Sequence, residues 1–94
     1  MSGSRMYTLM QPVTVWEATS TKRILTDVEG AARFLLECWP EQYTNTTLHR
    51  LARQRALEAL DRHIPVAAFR TAFIAAAEEA DVMADPPSQG LRLG

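Results

Sequence analysis

The chain has 94 residues, 47% of them apolar and 22% charged, and ten basic against eleven acidic side chains leave a net charge of -1 at neutral pH. That length fits one domain, and the balance excludes disordered and collagen-like classes. It also excludes a membrane-spanning helix, which needs a run of about 18 apolar residues, a disulfide framework or cysteine-type zinc site, for which the single Cys38 is too few, and the overall basic character of a nucleic-acid-coating protein. The stretch from Met6 to Met10 is broken by Gln11-Pro12 and is too short for a secretory core, so a reducing, cytoplasmic setting is expected. A chain of this size buries only roughly 60–65% of its unfolded surface. Little room is left for a deep active site, and a core shared across a homodimer interface would help.

Residues 1–6 read as a frayed N-terminus, residues 7–83 as one α+β domain, and residues 84–94 as a flexible tail in which Pro86-Pro87 stops any helix. From Pro12 to Glu17 the pattern alternates, Val13 and Val15 on one side and Thr14 and Trp16 on the other. This is a half-buried strand with proline at its first position. Lys22 to Thr26 reads as a second strand, joined to the first in a hairpin across about four residues. Two strands alone are marginal in water, so the helices that follow must cover one face. Thr26 and Glu29 fit a capping box that starts a first helix over 27–38. Its inner stripe is Val28, Ala31, Ala32, Leu35, Leu36 and Trp39, with Phe34 and Cys38 on the flank widening the apolar arc to roughly 200°. Glu29, Arg33 and Glu37 make its wet strip, Glu29 spaced to pair with Arg33, and Pro40 ends it.

One of Thr44, Asn45 and Thr46 caps a second helix over 47–62, with Leu48, Leu51, Ala52, Ala56, Ala59 and Leu60 as its buried stripe. Pro65 suits the first position of a third helix that runs to Val82 and turns Val66, Phe69, Phe73, Ala76, Ala77 and Ala80 inward. The expected architecture is β-β-α-α-α: an α+β fold in which an N-terminal two-stranded hairpin packs on a layer of three helices.

The ordered set of Pro12-Val13 near the start, a capped helix ending in Trp39-Pro40, the Ala59-Leu60 pair and the segment Arg70-Thr-Ala-Phe-Ile-Ala-Ala-Ala-Glu-Glu-Ala80 resembles domain of unknown function family 982. That family comprises small bacterial proteins, chiefly from rhizobia and related alpha-proteobacteria, and the resemblance covers Pro12 to Val82. It implies a compact cytoplasmic α+β domain and transfers no catalytic or binding residue. One departure concerns the turn before the third helix, where the family usually has glycine after the Ala-Leu pair and this chain has Asp61-Arg62.

The candidate sites divide by chemistry. Cys38, His49 and His63 are the residues a thiol–imidazole nucleophile would use, but Cys38 sits at a helix C-terminus, where the dipole disfavours a thiolate. Cys38 therefore reads as a small buried hydrophobe and the two histidines as surface residues. His49 and His63 are too far apart in sequence, and Asp81 and Asp85 too isolated, for a dedicated metal site. Asn45-Thr46-Thr47 matches a glycosylation acceptor but reads as a capping loop. Arg50, Arg53 and Arg55, with His49, give the second helix a basic face that Lys22-Arg23 can extend, and the last two helices admit a helix–turn–helix reading. Against phosphate stands the acidic end of the third helix, Glu78, Glu79 and Asp81, which opposes the helix dipole and is expected to take an arginine partner in this chain or in a second copy. Trp39 reads as core. Trp16 and Phe34 read as candidates for an exposed interaction surface.

These features favour a small non-enzymatic protein-interaction or regulatory module, with homodimerisation as one form. Its candidate surface is Trp16, Phe34, Arg50, Arg53 and Arg55. The alternative is nucleic-acid binding through the basic face of the second helix. A third reading is a small-ligand binder or enzyme with a pocket between hairpin and first helix, for which no polar constellation can be named. No catalytic, cofactor-binding or metal-binding residue is assigned, and no cofactor is expected.

Overall fold

A computed structural model of the chain describes residues 7–18 and 20–84. Strand β1 (Leu9–Glu17) pairs antiparallel with β2 (Thr21–Asp27); helices α1 (Val28–Glu37), α2 (Thr47–Leu60) and α3 (Val66–Glu79) follow, with one 3-10 turn at Glu41–Tyr43 between the first two. The expected α+β order is the observed one. Of the expected flexible segments 1–6 and 84–94, all but Ala84 lie outside the described residues.

β1 begins earlier than the alternation suggests. From Val13↔Leu25 to Glu17↔Thr21 the register is regular, but it shifts between Leu9 and Val13. Pro12 falls within this irregularity, where its missing N–H costs no ladder bond. The carbonyls there are taken by Arg70 of α3, whose Nε and Nη2 donate to Gln11 O at 3.0 Å and Pro12 O at 3.1 Å. Val13, Val15 and Leu25 are buried on the inner face, as the alternation requires.

The cap of α1 is Asp27, not Thr26: its carboxylate accepts from Gly30 N–H. Glu29 is drawn away from both the capping box and Arg33. It accepts from the Thr8 N–H at 2.8 Å and hydroxyl at 2.9 Å, tying the start of α1 to the residue before β1. The inner stripe of α1 is also rotated. Val28, Ala31, Phe34 and Leu35 are buried, while Leu36 is 69% exposed. Phe34 is turned inward because α1 is covered on two sides, by β2 and by α2 and α3. Its ring meets Trp39 edge-on at 5.9 Å and lies 6.5 Å from Phe73, which in turn contacts Phe69.

α2 is capped by Thr46, whose hydroxyl accepts from His49 N–H, and α2 buries Ala52, Ala56 and Ala59 but leaves Leu51 exposed. Pro65 is the N-cap residue of α3 rather than its first helical position. α2 and α3 end alike. Arg62 (φ 63°) and Asp81 (φ 60°) adopt the left-handed conformation, with the two reverse hydrogen bonds of a Schellman motif: His63 N–H to Glu58 O and Arg62 N–H to Ala59 O, then Val82 N–H to Ala77 O and Asp81 N–H to Glu78 O. α3 therefore stops at Glu79 instead of reaching Val82. The chain beyond it turns back along β1: Trp16 N–H donates to Val82 O, Ala84 N–H donates to Thr14 O, and Val15 bridges Met83. Ala84 is thus tied to β1 rather than beginning a tail.

Candidate interaction surface

Of the five residues singled out for a surface, Phe34 is corrected outright. It is 1% exposed, at the centre of the aromatic cluster. Leu36, two positions on, is exposed in its place. Trp16 is half-buried on the outer hairpin face, with the Lys22 ammonium over its ring at 5.5 Å. Arg55 turns away from the other arginines to pair with Glu58 at 2.6 Å. With Gln54 at 3.2 Å, Arg55 holds the Glu58 carboxyl below its usual range.

Arg50 and Arg53 stay together. Three residues apart on α2, they line a groove of about 470 Å³ between α2 and α1. Its apolar lining is Ala32, Leu35 and Leu36 of α1 with Ala56 and Leu57 of α2. Leu57, like Leu36, is largely exposed, at 61%. Among the described residues no carboxylate lines this groove, and the ion pairs seen are Arg23–Glu17 and Arg55–Glu58. Two helices packed side by side thus present a strip of leucine and alanine next to two guanidinium groups that have no anionic partner among the described residues.

Among the histidine and cysteine candidates, His49 departs from the expectation. His49 is buried, not a surface residue. Its Nδ1 accepts from Asn45 N–H at 3.0 Å, so the neutral ring carries its hydrogen on Nε2 and donates to Leu35 O at 2.9 Å. Leu35 is in the last turn of α1, whose carbonyls lack helical partners; the ring satisfies one of them and stacks 5.2 Å from Trp39. No periodicity announces this role, because it depends on where the end of α1 lands. The Trp39 indole N–H is buried without an acceptor among the described residues. His63 is exposed. Cys38 is half-buried with Sγ 3.8 Å from Glu17 Oε2, and burial together with that carboxylate pushes its thiol up, away from a reactive thiolate.

At the acidic end of α3 the partner found is a hydroxyl rather than an arginine: Thr46 Oγ1 donates to Glu79 Oε1 at 2.6 Å. Among the described residues no group of three or more His, Cys, Asp or Glu side chains is placed to hold a metal ion. Among the described residues no helix is long and apolar enough to cross a membrane.

Comparison with curated proteins and with solved structures returns no match. A family model does match. It is described as a protein of unknown function, DUF982, and it spans residues 11–84, from the irregular start of β1 to the strand-like return at Met83-Ala84. That span takes in the hairpin, all three helices and the groove, and the chain belongs to this family.

Proposed function

We propose that the protein is a cytoplasmic, non-enzymatic protein-interaction module and that the α1–α2 groove is its docking surface. The observation that carries this reading is the coincidence, in one groove, of two largely exposed leucines with two arginines that no carboxylate lining it neutralises. Contiguous exposed apolar surface rimmed by polar groups is a mark of interaction sites. Two of the groups that covalent chemistry would call on are engaged: the Cys38 thiol is held protonated by burial and by Glu17 beside it, and both ring nitrogens of His49 bond to backbone. Nucleic-acid binding would draw on the same Arg50 and Arg53. It loses Arg55 to Glu58 and Lys22 to Trp16, so the basic side chains do not form one stripe. A homodimer through the groove is the nearest competitor, read by sedimentation.

The test compares the wild type with Leu36→Glu/Leu57→Glu, both confirmed folded by circular dichroism, as baits for quantitative capture from an extract of the producing cells. Proteins retained by the wild type and lost by the variant are expected. Indistinguishable captured sets overturn the docking surface.

A further inference from the structure

Resting on the groove as docking surface, we infer that its occupant is an acidic amphipathic helix of another polypeptide. The groove lies between two packed helices, and α1, at ten residues, extends about 15 Å. That length matches two to three turns of a third helix laid alongside, the helix-in-groove mode of recognition. The lining includes the small side chains Ala32 and Ala56, which leave room for bulky residues from the occupant, and the largely exposed Leu36 and Leu57, which can pack against them. Arg50 and Arg53 are three residues apart, about 4.5 Å along the α2 axis. Carboxylates one turn apart on a helix have a comparable spacing. The partner therefore carries a Leu, Phe or Met stripe at helical spacing with Asp or Glu along the flank that faces α2.

The charge pattern decides among occupants. A two-fold dimer presents the same patch to itself and brings Arg50 and Arg53 toward their own copies, with no carboxylate in the groove to separate them. Glu58, bonded by Gln54 at the groove edge, is already held by Arg55. The side chains of the chain's own residues 85–94 include one Asp and one Arg, which cancel, and the lone apolar pair Leu91 and Leu93 is not at helical spacing. A nucleic acid would satisfy the arginines but lay its phosphates against the leucines.

The experiment is selection of a displayed library of random helical peptides on the immobilised full-length protein. The expected pool is enriched in Asp and Glu beside an apolar stripe. Its members bind at least tenfold more weakly to Arg50→Glu/Arg53→Glu, weaken with salt, and are lost on Leu36→Glu/Leu57→Glu. Selection on the arginine variant is expected to return Lys- and Arg-flanked peptides instead. A pool lost on the leucine variant but without acidic bias overturns the acidic partner and leaves the groove standing. A pool indifferent to the leucine variant, or no enrichment at all, overturns both. A doubled mass in sedimentation that the leucine variant abolishes replaces the helical partner with a second copy, and retardation of DNA or RNA that Arg50→Glu/Arg53→Glu abolishes replaces it with nucleic acid.

Discussion

His49 shows how one buried polar side chain is made tolerable. Its ring accepts from Asn45 N–H and donates to Leu35 O, so the loop before α2 and the C-terminal turn of α1 are fastened through one imidazole. A substitution that keeps an aromatic ring but removes both nitrogens, His49→Phe, leaves a part-buried donor (Asn45 N–H) and a buried acceptor (Leu35 O) unpaired. The buried acceptor costs roughly 1–3 kcal/mol and the part-buried donor less, so a loss of about 1–4 kcal/mol in urea unfolding is expected for the pair. A change below 1 kcal/mol would show that water reaches these groups. Glu29 acts at the other end of α1. Burial works against its ionisation, but the Thr8 N–H and hydroxyl bonds outweigh it and hold the carboxyl below its usual range. A depressed carboxyl contributes stability that is present above its unfolded pKa and is lost as pH falls through the lower folded value. The stability gap between wild type and Glu29→Gln is therefore expected at pH 7 and to shrink by pH 3, read from paired thermal melts.

Two of the three helices end at a residue that pays a steric cost, and this was the least legible feature of the elements. Hairpin alternation and the period of 3.6 located both strands and the three α-helices, though not the 3-10 turn at Glu41–Tyr43, and the resemblance to the family flagged the turn at Asp61-Arg62. They did not reveal that Arg62 and Asp81 sit in the left-handed region, since neither residue type signals it as glycine does. The error at the end of α3 has the same source: a helix run on to Val82 would have kept that residue from Trp16, which it instead bonds along β1. A left-handed L-residue costs roughly 1–2 kcal/mol, partly offset by the entropy glycine loses on folding. Arg62→Gly is expected to raise stability by about 0.5–1 kcal/mol without moving the fold, measured by chemical denaturation. A loss instead would mean that the Arg62 side chain makes a contact worth more than the backbone strain.

At the scale of the whole molecule, the question is which side of α1 belongs to the fold and which to a partner. The sequence leaves this open, because the apolar arc of α1 is wider than one neighbour can cover. Only the placement of hairpin, α2 and α3 sends Phe34 inward and leaves Leu36 on the groove. Arg50 and Arg53 were readable from their spacing alone. The leucines beside them were not, since Leu36 looked like core and Leu57 gave no signal. This division makes folding and docking separable by mutation. A small domain has roughly 5–15 kcal/mol of stability in total, and truncating fully buried Leu35 to alanine is expected to remove about 2–5 kcal/mol of it. Leu36→Lys and Leu57→Lys change side chains that are already mostly in water, so each is expected to alter unfolding free energy by no more than about 0.5 kcal/mol while abolishing capture of the partner. Urea denaturation and binding are measured on the same three variants. If Leu36→Lys destabilises the protein as much as Leu35→Ala does, Leu36 belongs to the core and the groove is not a surface kept open for a partner.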